Sequence, residues 1–277
     1  MARVKEIGVD VKDLMKNFPL CKICERRKHN CICTEELVTF FNEETTLQTL
    51  SFSPSHHDKF PVLLFKISNL VVCASLIGKD FDDEVQFNLS NLQFIFDDVR
   101  KTFNNCMTIT HAYNGTKVST KIFTNGRIQM AIGSGNISLA MKELWRIYTI
   151  IKLNKNAYIV DADNFEKLDI YDVKVILANS NFDIGPCIKQ TKMKDALVEK
   201  YRLDATFNPD KYPGINLKLE HVSVFIFKSG KIIITASKTV KGLKDAYLFI
   251  NTIIKNEKHD ICYIDPIEIK KKALKRL

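Results

Sequence analysis

Two stretches of this chain nearly repeat one another: Ser119-Thr-Lys-Ile-Phe-Thr-Asn-Gly-Arg-Ile128 and Ser223-Val-Phe-Ile-Phe-Lys-Ser-Gly-Lys-Ile232. Sliding position 119 onto position 223 superimposes Ser, Ile, Phe, Gly and Ile, and sets Arg127 against Lys231. Each copy is a β-prone run broken by a short turn containing glycine, which predicts a hairpin. Leu139 and Leu243 then coincide in the segments that follow. A hairpin that returns with the same downstream pattern predicts an internal repeat.

The flanking sequence extends the repeat. Ile137, Met141, Leu144, Tyr148 and Ile151 recur every three to four residues and predict an amphipathic helix over 134–153. Leu243, Tyr247, Ile250 and Ile254 predict its counterpart at the end of the second copy. Upstream, 61–76 and 171–182 read as strands. The spacing of Phe87, Leu89, Leu92, Ile95 and Phe96 is helical, and 187–201 is a helix candidate. Tyr113-Asn-Gly115 marks a further hairpin, and Asn208-Pro-Asp-Lys-Tyr-Pro-Gly214 a turn. The chain is therefore expected to hold two strand–helix–strands–helix units over 61–155 and 168–256. An extension over 1–60 precedes them, and a basic tail follows over 257–277.

Composition sets the outer limits. The 277 residues carry 41 Lys+Arg against 32 Asp+Glu, a formal charge of +9, with 45% hydrophobic residues, ordinary for a globular chain. No apolar run approaches the ~20 residues of a membrane span, and the first residues lack the apolar core of a secretion signal. A basic balance permits a nucleic-acid partner without demanding one.

The ordered motifs resemble the TATA-box-binding protein (TBP) family. Ile226-Phe-Lys-Ser-Gly-Lys-Ile232 and Ile122-Phe-Thr-Asn-Gly-Arg-Ile128 match its I-F-x-S-G-K-hydrophobic segment, and Thr235-Ala-Ser-Lys238 follows the first of these. Tyr212-Pro-Gly214 resembles its F-P-G turn, and Asn181-Phe-Asp-Ile184 the end of its second central strand. Ile67-Ser-Asn-Leu-Val-Val72 resembles its opening Q-N-I-V strand, and Lys101-Thr-Phe103 its K-R-F. The resemblance covers about 61–256. It implies an α+β saddle of two pseudo-symmetric repeats, a curved antiparallel sheet with helices on its convex face.

The same resemblance implies a DNA-facing set. Minor-groove binders of this kind insert apolar wedges into base steps and hold a kink, a mode for which TBP is itself a standard example. The wedges would be Phe103 and Phe123 in the first repeat, and Tyr212 and Phe227 in the second. Asn69, Val71, Phe225, Ile233 and Thr235 would face the groove, and Arg127, Lys218, Lys231 and Lys238 the phosphates. Departures from the family concentrate in the first repeat and the centre: Lys121 stands where the second repeat has Phe225, Gln129 and Ala131 replace Val and Thr, and Leu177 occupies the counterpart of Asn69. DNA bending is expected to survive these changes, and a strict TATA preference is not. Taken singly, each Phe reads as an ordinary strand core residue. It is their recurrence ahead of Gly-basic turns that favours wedges. Trp145, Tyr148, Tyr247 and Phe249 are expected to pack on the sheet.

Outside the repeats, Cys21-Lys-Ile-Cys24 and Cys31-Ile-Cys33 bring four cysteines into thirteen residues, a C-x2-C-x6-C-x-C spacing. Four thiolates make a closed tetrahedral set for a structural zinc ion, with His29 as an alternative ligand. Zinc-bound thiolates offset most of the charge of Lys22, Arg26, Arg27 and Lys28, so docking to protein fits this module at least as well as gripping DNA. Lys270-Lys-Lys-Ala-Leu-Lys-Arg276 reads by default as a solvated basic end.

Enzyme signatures do not emerge. There is no G-x-x-x-x-G-K-[ST], H-E-x-x-H or G-x-S-x-G; Gly133-Ser-Gly135 lacks further glycines, and His56-His57-Asp58 reads as a polar turn. The expected role is a non-enzymatic transcription initiation factor. It would bind and bend AT-rich double-stranded DNA and contact a TFIIB-like factor and the RNA polymerase machinery, with no membrane or small-molecule substrate. Its expected location is intracellular: the nucleus, or a viral factory or virion. The divergence and the Lys/Asn/Ile-rich composition suggest an AT-rich genome such as that of a large DNA virus or a protist. The alternative is a TBP-fold interaction or viral assembly subunit that has lost DNA binding.

Overall fold

The computed structural model describes residues 21–24, 31–49, 65–77, 86–154, 158–159 and 168–274. The polar turn at 51–58, the acidic turn at 80–84 and His29 lie outside the described residues.

The first repeat opens on strand β1 (Lys66–Ser75), followed by a short strand β2 (Gln86–Phe87) and helix α2 (Leu89–Ile95). Strands β3 (Val99–Thr102), β4 (Cys106–Tyr113), β5 (Thr116–Phe123) and β6 (Arg127–Ile132) then lead to helix α3 (Ile137–Leu153). A short strand β7 (Tyr158–Ile159) pairs with β2. The second repeat runs through β8 (Tyr171–Asp183) and β9 (Cys187–Ile188) to helix α4 (Gln190–Asp195), which continues as a π-helical turn over Ala196–Lys200. Strands β10 (Asp204–Thr206), β11 (Gly214–Lys218), β12 (Ser223–Phe227) and β13 (Lys231–Ser237) precede helix α5 (Val240–Ile261). Helix α1 (Glu35–Thr49) lies ahead of both repeats. Strand β14 (Cys262–Tyr263) and helix α6 (Pro266–Leu274) close the chain.

Ten strands form one antiparallel sheet in the order β10-β11-β12-β13-β8-β1-β6-β5-β4-β3. The order is a palindrome of the two repeats: each contributes five strands, and β1 and β8 pair at the centre, with Asn69 opposite Asn179 and Val71 opposite Leu177. The predicted duplication is thus the architecture of the sheet itself.

Strand alternation decides which face is covered. In β5, Val118, Thr120 and Ile122 are buried, while Lys117 and Lys121 are exposed; in β12, Val224 and Ile226 are buried. The buried set meets Ile137, Met141, Leu144, Ile147 and Ile151 of α3, and Leu243, Tyr247, Ile250 and Ile254 of α5. Burying each such aliphatic side chain is worth roughly 1.5–3 kcal/mol. Both helices start on side-chain caps: Asn136 accepts from the Ser138 N–H, and Thr239 from the Gly242 N–H. Among the described residues, the opposite sheet face carries no helix of either repeat.

Several expectations change here. The helix expected over 187–201 begins three residues later, at Gln190, because Cys187 and Ile188 pair with β14 and Lys189 is its N-cap. Phe249 is 40% exposed on the outer side of α5 and does not pack on the sheet, whereas Tyr247, two residues earlier on the turn, is buried. The basic end is not a solvated tail: within α6, Lys272 donates to Asp183 Oδ1 at 2.7 Å, to the Gly185 carbonyl at 2.9 Å and to the Ser229 carbonyl. The charge run hides this because Lys270 and Lys271, just ahead of it in the same helix, do stay outside. The helix over 35–49 was not foreseen: its apolar residues are sparse, yet Leu37 and Phe40 are fully inside the core.

Candidate nucleic-acid interface

The open sheet face is built from the residues that alternate with the core. From β1 it takes Asn69, Val71, Cys73 and Ser75, and from β6 Arg127, Gln129 and Ala131. From β12 and β13 it takes Phe225, Phe227, Ile233 and Thr235. Cross-strand pairing places Val71 beside Ala131 and Leu177, Cys73 beside Gln129, and Phe225 between Asn216 and Ile233. All the residues expected to face a groove are therefore neighbours on one surface.

Aromatic side chains mark both ends. In the second repeat, the Tyr212 ring sits 5.2 Å from Phe225 and 5.8 Å from Phe227, centroid to centroid. Gly214 makes this possible: a Cβ there would stand 3.0 Å from Tyr212 Cε1 and 3.1 Å from Phe227 Cε1. Gln190, at the start of α4, donates to the Pro213 and Ile226 carbonyls and fastens the turn to the end of β12. Tyr212 stays 43% exposed. In the first repeat, Phe103 is 46% exposed in the β3–β4 turn, where its N–H bonds the Cys106 carbonyl and Cys106 pairs with Phe123. Large apolar rings held partly in water at both tips are costly for a sheet with no partner.

The centre is asymmetric. Asn179 accepts from the Thr235 hydroxyl at 2.7 Å and from the Ala236 N–H at 3.2 Å. It thereby holds the β13 irregularity at which Ala236 takes φ 68. On the facing strand, opposite Asn179, Asn69 Oδ1 is shielded from solvent and has no partner among the described residues.

Arg127, Lys218 and Lys231 are exposed at strand ends, and Lys66, Lys121 and Lys174 join them on or beside the open face. Strand alternation alone could have found those last three. A hollow of about 420 Å³ on this face is lined by Cys73, Ser75, Phe123, Arg127, Gln129 and Lys174, among others. Lys238 is placed differently: it lines a separate hollow together with Glu35, Glu36 and Thr39 of α1. Sequence spacing could not show this, because the docking of α1 was not legible.

The four cysteines converge. Cys21 Sγ lies 3.8 Å from Cys33 Sγ, Cys24 Sγ lies 3.7 Å from Cys31 Sγ, and all four sulfurs fall within 4.8 Å of one another. Burial raises the Cys21 thiol, but the Cys24 and Ile23 backbone N–H groups and the neighbouring thiols outweigh it and bring it down to about 7. Cys33 moves the other way, pushed up by burial and by the charge of Cys24. Four thiols this close cannot all ionise unaided, so the cluster is a set of ligands that a metal ion could hold together. Beside it, Ile23, Leu37 and Phe40 enter the core, and the Thr34 hydroxyl reaches the Val173 carbonyl at 3.5 Å.

Comparison with known proteins agrees with the geometry. The family model described as "Transcription factor TFIID (or TATA-binding protein, TBP)" matches residues 187–257. The fold is similar to Methanococcus jannaschii TBP, with a TM-score of 0.51 and 22% identity, covering 69% of this chain and 98% of that one. A TATA-box-binding protein-like protein of Acanthamoeba polyphaga mimivirus is 27% identical over 179 residues, 56% of this chain and 48% of its own length. The chain is thus similar to TBP proteins in fold and, over part of its length, in sequence. The TATA-box-binding protein of Aeropyrum pernix is 37% identical over 62 residues, covering 22% of this chain and 30% of that protein. The chain thus spans half or less of the lengths of these two relatives. In this TBP-like fold the sheet is the large curved antiparallel surface and the helices lie on its back.

Proposed function

We propose that this chain is a transcription initiation factor that binds AT-rich promoter DNA in the minor groove and bends it over the open sheet face. One observation carries the reading: two sets of aromatic residues, Phe103 with Phe123 and Tyr212 with Phe227, stand at opposite ends of the open sheet surface, with basic residues on and beside it. A broad surface of this kind suits a groove read by shape and by a degenerate acceptor pattern, and apolar wedges at its ends suit kinked base steps. Arg127, Lys218 and Lys231 contact phosphate and position the duplex without reading its sequence. The helix-covered back recruits other initiation factors. The Asn208–Tyr212 turn, with Asp210, is the surface for a TFIIB-like partner and leads to the polymerase machinery.

The extension binds a structural zinc ion. Tetrahedral Zn–S bonds of ~2.3 Å imply sulfur separations of about 3.8 Å, and two of the thiol pairs already lie 3.7 and 3.8 Å apart. Cys21, Cys24, Cys31 and Cys33 fill all four positions and leave none for water, so the ion fastens the extension to the repeats and performs no chemistry. The core of the function lies in 61–256, with 1–60 as the metal-bearing extension. The relation to a mimivirus protein supports a viral origin and action in a viral factory or the nucleus.

A second reading, a TBP-fold assembly subunit without DNA binding, draws on Lys121, Gln129 and Leu177, which depart from an apolar groove-facing surface. Fluorescence anisotropy with an AT-rich duplex at several salt concentrations separates the two. The minor-groove reading predicts binding that weakens with salt and is lost in the Phe123→Ala, Phe227→Ala double variant. Absence of binding at low salt would favour the assembly subunit, and unchanged affinity in the double variant would overturn the minor-groove reading.

A further inference from the structure

The repeat places counterparts side by side, and one pair of cross-strand rows on the open face differs in chemistry. In the first repeat the row runs Lys121, Gln129, Cys73, Lys174, each opposite the next. Its counterpart in the second repeat runs Phe225, Ile233, Asn181, Lys66. At the two outer positions the first row offers a charged donor and an amide, and the second an aromatic ring and a branched aliphatic chain; the second row's own amide and lysine, Asn181 and Lys66, stand inward on the central strands β8 and β1. Lys121 is exposed, while Phe225 is packed against Tyr212.

The minor groove distinguishes base pairs by one group. Adenine N3 and thymine O2 are acceptors, and a G·C pair adds the guanine 2-amino donor in the middle of the groove floor. A glutamine amide can donate to the acceptors and also accept from the 2-amino group. A lysine ammonium can donate to the same acceptors on either kind of pair. Ile233 and Phe225 can do neither, so a 2-amino group pressed against them loses its water and gains no partner.

We infer that the saddle reads its two half-sites by different rules: the half under Lys121 and Gln129 accepts G·C pairs, and the half under Phe225 and Ile233 requires A·T. Gln129 and Ile233 are then the specificity-determining pair, and the protein has a preferred orientation on any site whose halves differ in G·C content. The inference rests on the minor-groove reading above and adds the class of site to it.

Three duplexes test it with the full chain in an anisotropy titration: all A·T, one G·C pair in one half, and one G·C pair in each half. The wild-type protein should bind the first two within about twofold, because it can turn its first repeat toward the G·C half, and should lose about tenfold or more on the third. The Lys121→Phe, Gln129→Ile variant should lose that same factor on the second duplex relative to its own all-A·T affinity. The Phe225→Lys, Ile233→Gln variant should bind the third duplex as well as the first. A tenfold loss by wild type on the second duplex overturns the inference and leaves groove binding intact, as does wild-type indifference to the third. No binding to any duplex overturns the inference and the minor-groove reading together.

Discussion

At the scale of single residues, the hairpin glycines explain why the repeat survives in so diverged a chain. Gly126 and Gly230 hold φ of 78 and 84 at equivalent turns, a region that L side chains rarely occupy. At Gly230 the surroundings forbid a side chain outright, since a Cβ would lie 2.1 Å from the Pro186 carbonyl oxygen. Gly230→Ala should therefore destabilise the chain by about 1–3 kcal/mol. Urea denaturation followed by circular dichroism measures it, and a midpoint within error of wild type would refute the strain. The aromatic residues ahead of these glycines were legible for the same reason: their positions are tied to turns that tolerate little change. The burial of Glu143 was not legible. Its carboxylate is fully inside, chelated by Arg146 at 2.8 and 2.9 Å and bonded by the Tyr113 hydroxyl at 2.9 Å. A glutamate in an amphipathic helix shows nothing in sequence of an arginine one turn on and a tyrosine from another strand.

At the scale of elements, α6 and α1 changed the reading most. Lys272 of α6 reaches one carboxylate and two backbone carbonyls, so it bolts the end of the chain to the turns after β8 and β12. Its side chain is 20% exposed, sheltered enough for a hydrogen-bonded pair to matter. Lys272→Met should cost about 1–3 kcal/mol and speed amide exchange across α6. Exchange rates in α6 that do not move would show that the helix docks without this lysine. Carbonyl partners leave no mark in the sequence, which is why a basic run could not disclose one anchored lysine. For α1, the expected consequence is metal dependence. Removing the ion with a chelator should loosen the extension, seen as faster proteolysis ahead of β1. A purified chain with less than about half an equivalent of zinc, its cysteines reduced and intact, would remove the metal from the account. The cysteine spacing was readable because C-x2-C is local chemistry. The docking of Leu37 and Phe40 was not, because it depends on a surface from the other end of the fold.

At the scale of the whole molecule, the palindromic sheet has a covered face that sequence periodicity could predict and an open face that it could only suggest. Helices α3 and α5 follow from 3.6-residue spacing, and the order of strands follows from the duplication. What periodicity cannot supply is the purpose of an uncovered sheet with rings at both ends. The account assigns that face to a kinked minor groove. End-labelled AT-rich duplex, observed by energy transfer as the protein is titrated in, tests this most directly. The account predicts that transfer rises at saturation, as the duplex ends approach, and that the rise disappears in the Phe123→Ala, Phe227→Ala variant. Saturable binding with no change in end-to-end distance would contradict it.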